Sequence, residues 1–139
     1  MKYLLDSNVV SDIYNASSVN HPQVINKLLS LGEDDDIFIS VITLYEFEYA
    51  FANSPLKKQL HKLNNILPLS VHGSEAFGEL KKRFKELQSI NNENIKKHTV
   101  DLIVAATAFE NKTILVSADK IYSSINSIHK KFIFEDWTK

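Results

Sequence analysis

No cysteine occurs among the 139 residues. Disulfides, thiolate catalysis and cysteine-ligated zinc are therefore excluded. Glycine and proline occur only three times each, so the chain has few turns to spare and consists mostly of regular elements. No apolar run approaches the length of a membrane span. The opening MKYLLDSN has one lysine, a very short apolar run and then an aspartate, which is not a signal peptide. The expectation is a soluble, cytoplasmic protein with no membrane partner. An excess of either charge is missing too: Lys plus Arg is 16 and Asp plus Glu is 17, a net charge of −1. Any nucleic-acid partner must then be held by a local patch or a bound metal. The five histidines (His21, His61, His72, His98 and His129) show no ligand spacing such as an i, i+4 pair and read as surface residues. His98 lies near Asp101 in sequence, where modulating that acid is one reading and a plain loop position the simpler account.

What is present suits one domain with a proper core, since 44% of residues are hydrophobic and 24% charged, ordinary values for a globular chain. Strands and helices alternate. A first strand is expected at Lys2–Leu5 and a short helix at Ser7–Tyr14. A second helix opens at His21-Pro22 and ends near Leu31, with Gly32 in the position after the helix end. Glu33–Asp36 reads as a solvated acidic turn. A second strand covers Ile37–Ile39, and Ser40 caps a very apolar third helix, Val41–Ala52. A fourth helix restarts at Ser54-Pro55. Leu67–Val71 is a third strand, near a sheet edge because it contains Pro68. A long amphipathic helix covers Ser74 to about Ile90; its Lys81, Lys82, Arg83 and Lys85 read as a solvated face. After a polar connection at Ser89–Lys97, Thr99 caps a further helix, Val100–Glu110. Thr113–Val116 is a fourth strand, Ile121–Ile125 a short helix and Phe132–Phe134 a last strand. This is an α/β pattern with a parallel sheet.

Four carboxylates stand out: Asp6, Glu46, Asp101 and Asp119. Asp6 and Asp119 each follow an apolar strand, and in a parallel sheet those two points share one edge, where open α/β sheets build their sites. Each also has a plainer account as a helix cap. Glu46 lies inside the apolar third helix, about 200° around the axis from Glu48, on a face with Thr43, Ala50 and Asn53. Asp101 stands in the first turn of its helix, where an acid complements the dipole, yet it is nearly the only polar group in VDLIVAATA. Four converging carboxylates repel one another and raise each other's pKa values, which no capping role needs. A hard divalent cation with oxygen ligands, Mg²⁺ or Mn²⁺, resolves the repulsion. The pattern points to metal-dependent phosphodiester hydrolysis by an activated water, with Ser7 and Asn8 positioning waters or phosphate oxygens.

On these residues the chain resembles PIN-domain ribonucleases, in particular the VapC-type toxins of bacterial toxin–antitoxin pairs. LLDSNVVSDIY is similar to the family's first motif, usually Asp-Thr-Asn, with Ser7 in place of Thr. ISVITLYEFEYAF is similar to the second, whose acid falls on Glu46. VDLIVAATAFENKTILVSADKIY is similar to the third and fourth, with acids at Asp101 and Asp119, and FIFEDW to the closing strand. The fourth motif departs from the family, which often has Asn or Arg beside the acid and an aromatic three residues on; here Ala118, Lys120 and Tyr122 stand there. The resemblance covers the whole length and implies one PIN domain over residues 1–139, a three-layer fold with a central parallel sheet between helices. It also implies a homodimer, Mg²⁺- or Mn²⁺-dependent endoribonuclease activity on an RNA substrate, and a cognate antitoxin that reaches into the active-site groove. The expected metal ligands and catalytic groups are Asp6, Glu46, Asp101 and Asp119, with Ser7, Asn8, Ser117 and Lys120 positioning water or substrate. Two other readings remain: a non-catalytic PIN-like binding module, and a phosphatase or phosphoacceptor domain with Asp6 as nucleophile.

Overall fold

The computed structural model describes residues 1–50, 65–88 and 95–139. In chain order its elements are β1 (Lys2–Leu5), α1 (Ser7–Tyr14), α2 (His21–Leu29), β2 (Asp36–Ser40), α3 (Val41–Ala50), β3 (Ile66–Leu67), α4 (Val71–Gln88), α5 (Thr99–Glu110), β4 (Ile114–Val116), α6 (Ile121–Ile128) and β5 (Phe134–Glu135). The five strands form one sheet in the order β3-β2-β1-β4-β5, with every pair parallel. The α/β fold expected from the alternation of elements is the fold observed.

Both faces of a parallel sheet are covered, so its strands are apolar on both sides. Alternation along β1 shows how the two cores divide. Leu4 points into a cluster with Leu115, Leu102, Ala105, Leu80, Tyr122 and Phe132, under α4, α5 and α6. Tyr3 and Leu5 point the other way, toward Ile114, Val116, Val9, Val10, Val24 and Trp137, under α1 and α2. The middle of helix α5 is apolar because it is buried: Leu102, Val104, Ala105, Ala106 and Ala108 are all buried, as an apolar stretch without a polar face must be. Trp137 closes the second cluster with its ring edge against Tyr3, centroids 5.6 Å apart, and its indole N–H donates to Glu135 Oε2 at 2.9 Å.

The register fixes the site. Leu5 pairs with Ile39 on β2 and with Val116 on β4, so the next residues, Asp6, Ser40 and Ser117, come level at the carboxyl edge. β1 is central, with β2 and β3 on one side and β4 and β5 on the other. The β1–β4 pair is thus the point where the strand order reverses, and crevices for ligands open there.

Several boundaries differ from expectation, each for a local reason. Helix α2 ends at Leu29, closed by Ser30, whose N–H bonds Asn26 O and whose hydroxyl bonds Lys27 O. Gly32 instead donates its N–H to Asp35 Oδ2 at 2.8 Å within the acidic turn and has no positive φ. The expected strand over Leu67–Val71 reduces to Ile66–Leu67 at the sheet edge. Pro68 offers no N–H to a ladder, and the Ser70 hydroxyl accepts the Gly73 N–H at 2.9 Å, which starts α4 at Val71. Thr99 is the first residue of α5 rather than its cap; His98 holds that place with no side-chain cap bond. Phe132 is a core residue ahead of β5 rather than part of the strand. The expected helix from Ser54 and most of the expected connection from Ser89 lie outside the described residues.

Leu4 is fully buried in the central strand. Leu4→Ala is expected to lower unfolding stability by about 2–5 kcal/mol, read as a shift of the urea midpoint with an unchanged slope.

Candidate active site

Asp6 ends β1 in an extended conformation and caps α1, accepting the Ser7 N–H on Oδ1 at 2.9 Å. Its other oxygen, Oδ2, accepts the Ser117 hydroxyl at 2.8 Å and the Asn8 amide at 3.3 Å. Asn8 also donates to Ser117 Oγ at 3.1 Å and accepts the Ala118 N–H on Oδ1 at 3.4 Å. The Asp119 N–H donates to Ser117 Oγ at 3.1 Å. Asn8 and Ser117 therefore lace the end of β1 to the end of β4, where the Asp6 N–H already donates to Val116 O. Asp6 serves as a cap and still belongs to a polar network that crosses between strands.

The other acids arrive from three further elements. Glu46, on α3, accepts the Ser7 hydroxyl on Oε2 at 3.4 Å. Asp101, in the first turn of α5, lies 3.8 Å from His98 Nδ1. Asp119, just past β4, accepts on Oδ1, at 3.1 Å, the N–H of Ile121, the first residue of α6. Asp6 is buried, Asp101 half-buried, and Glu46 and Asp119 are exposed. Lys120 is exposed at the start of α6.

The electrostatics show that these acids share one region. Burial raises the pKa of Asp6, and the Asp119 charge adds to it, while hydrogen bonds from Ser117 and Ser7 oppose the rise. Asp101 is raised by burial, then by Asp119 and Asp6, with His98 opposing. Glu46 is exposed as a residue, yet lost hydration of its carboxyl is the largest cause of its raised pKa, followed by the charge of Asp6 and, after the opposing Ser7 bond, that of Asp101. Among the described residues no three acids or histidines are grouped closely enough to hold an ion as they stand. The donor set nonetheless fits a hard divalent cation: oxygen donors only, mutually destabilised as anions.

A model of the PIN domain matches residues 3–127. The chain belongs to the PIN-domain family. Among solved structures, a chain of VapBC2 from Rickettsia felis, bound to a DNA fragment from its promoter, is similar at 25% identity and TM-score 0.71, with 99% of each chain covered. VapBC-1 from nontypeable Haemophilus influenzae is similar at 20% identity and TM-score 0.70, with 100% of each chain covered. VapBC-5 from Mycobacterium tuberculosis, a member of the VapBC family of toxin–antitoxin systems, is similar at 15% identity and TM-score 0.61, covering 97% of this chain and 96% of that one. The last two likenesses show a shared fold. No curated protein matches. PIN domains are generally nucleases.

The PIN frame holds more at this edge than the expected residues. His98 is not a free surface histidine: it is half-buried, pairs with Asp101, and sets its ring edge-on to Phe84, centroids 5.3 Å apart. His21 and His129 are half-buried too, the first bonded to Asp12 O at 2.8 Å and the second against Phe109. Tyr122, legible in sequence only as an aromatic three residues after Asp119, is fully buried with its hydroxyl in the field of all four acids.

A carboxyl whose pKa is raised on folding binds its proton more tightly in the folded chain. Its contribution to stability is complete below the unfolded pKa, 3.8 for Asp6, and is lost as pH rises through the folded value. Asp6→Asn removes this titration. The melting temperature of Asp6→Asn relative to the unsubstituted chain is therefore expected to climb as pH goes from about 3 to about 7, in metal-free buffer. A difference that stays flat or falls with pH contradicts the raised pKa.

Proposed function

We propose that this PIN domain, a single domain over residues 1–139, is a metal-dependent endoribonuclease and the toxin of a toxin–antitoxin pair. The observation that carries the reading is the convergence of Asp6, Glu46, Asp101 and Asp119, from four separate elements, on the carboxyl edge of the sheet. Each of Asp6, Glu46 and Asp101 is destabilised there as an anion. A fold that needed only helix caps has no use for that cost. A polyanionic RNA backbone is also repelled by four ionised carboxylates, so catalysis on it requires a compensating cation.

Asp6, Glu46, Asp101 and Asp119 would hold Mg²⁺ or Mn²⁺. Such an ion supplies charge for activating water and for stabilising a phosphoryl transition state. The remaining work falls to the chain. Ser117 and the Ser7 N–H hold Asp6 in one orientation. Asn8 keeps the ends of β1 and β4 at a fixed spacing. Ser7 steers Glu46 toward the cluster, and Lys120, exposed at the mouth, offers a phosphate contact. The antitoxin partner rests on the solved relatives, one of which is described as a member of the VapBC family of toxin–antitoxin systems. A homodimer and a cytoplasmic location complete the proposal. Among the described residues no helix is long and apolar enough to cross a membrane.

The looseness of the acid group in this structure favours one alternative, a PIN-like module that binds partners without catalysis. Asp6 as a phosphorylated nucleophile is disfavoured, because it is only 7% exposed and both of its oxygens already accept hydrogen bonds.

The deciding experiment is cleavage of a mixed RNA pool by the purified chain with Mg²⁺, Mn²⁺ or EDTA. Cutting is expected with either ion and not with EDTA. Asp101→Asn and Asp119→Asn are each expected to lose more than the ~10–100-fold typical of a change outside the ligand shell. Saturating Mn²⁺, at about 100 times its Kd, should also stabilise the folded chain by about 2.7 kcal/mol. Absence of both cutting and metal-dependent stabilisation would leave the binding module as the better account.

A further inference from the structure

Two buried side-chain polar atoms have no hydrogen-bond partner among the described residues: Thr43 Oγ1 and Tyr122 Oη. An orphaned buried hydroxyl is costly, and such groups in native folds mark a missing partner. Tyr122 is the more telling of the two. Its residue is 0% exposed, so no RNA touches it. Its ring is fixed in the core beside Phe132, centroids 6.0 Å apart, and its backbone N–H bonds Asp119 O at 3.4 Å. Tyr122 packs in the core cluster of Leu4, on the side of β1 that Asp6 shares by strand alternation. Burial, and then Asp6, Asp101, Asp119 and Glu46 in turn, push its pKa well above the ordinary tyrosine value, so it stays a neutral donor. It makes no hydrogen bond to Asp6 or to any other described residue.

Asp6 is the cluster's buried member, and it accepts the Ser7 N–H, the buried Ser117 hydroxyl and the Asn8 amide. None of those donors comes from α6, the helix that carries Tyr122. Resting on the metal-nuclease reading above, we infer that the Tyr122 hydroxyl is a positioning donor that supports the Asp6 carboxylate from within the core and orients it as a ligand for a hard divalent cation. Donors behind a ligating carboxylate fix its orientation, and their loss typically weakens metal affinity. Tyr122 is not a catalytic residue, since it touches neither substrate nor solvent.

Tyr122→Phe removes the hydroxyl and keeps the ring. The metal-free variant is expected to melt no lower than the unsubstituted chain, because the lost group was unpaired. Calorimetric titration of each full-length protein with MnCl₂, without RNA, is expected to show Mn²⁺ bound ~10–100-fold more weakly by Tyr122→Phe. RNA cleavage at saturating substrate should regain rate as Mn²⁺ is raised. Equal Mn²⁺ affinity in the two proteins would overturn the inference and leave the metal site standing. A lowered melting temperature of the metal-free variant with Mn²⁺ affinity unchanged would assign the hydroxyl to packing and overturn it too. No Mn²⁺ binding by the unsubstituted chain would overturn the metal-nuclease reading, and this inference with it.

Discussion

The structure depends on one electrostatic constraint: four acids held near one another at the carboxyl edge of an apolar sheet. Proximity of like charges opposes folding, and burial of Asp6 adds to the opposition. What offsets it is the two-sided core. Leu4 and Leu115 anchor one face, Leu5 and Val116 the other, and together they fix the strand ends from which Asp6 and Ser117 project. Hydrophobic burial of this extent is ample against a few shifted carboxyls. The acids are therefore carried by the fold and contribute little to it.

Parallel register is what turns separate strands into one site. Each strand delivers its next residue to the same edge, so one paired register, Leu5 with Val116, is enough to bring Asp6 and Ser117 into hydrogen-bonding range. Asn8 then locks the two loops together. Glu46 and Asp101 come from helices that enter the edge from α3 and α5. Their positions follow from where those helices pack.

This division explains what was legible in the sequence. The strand-end acids were legible because an apolar run stopped by a small polar group marks a strand's end, and parallel strands share that end. The α/β class followed from the same alternation. Asp101 stood out as the lone charge in an apolar stretch. Glu46 and Glu48 could be placed apart by helical period, but which of them met the cluster depended on packing that no local pattern records. Tyr122 was missed in role for the same reason. His98 stands three residues before Asp101, so their pairing is local; a tyrosine inside an amphipathic helix has an ordinary local pattern, and only the tertiary fold brings Tyr122 into the field of the acids. The short β3 was misjudged because Ser70, a helix-starting residue, followed Pro68 inside a run that reads as extended.

The kinds of donor at the site carry the argument further. Asp6 is held by a backbone N–H, a serine hydroxyl and an asparagine amide, all neutral. A lysine or arginine in any of those places would pair with the acids, lower their pKa values and cancel the negative field from within. The cluster would then be stable and inert. Neutral donors orient the carboxylates without discharging them. His98 stands beside Asp101, where it opposes the rise of one acid of the four, and Lys120 stays exposed. The anionic charge is thus positioned, strained and left uncompensated, which is the condition under which a hard divalent cation binds and under which its charge is still available to a phosphate. On the proposed reading, a site that neutralised itself would have no need of an ion and nothing to offer an RNA backbone.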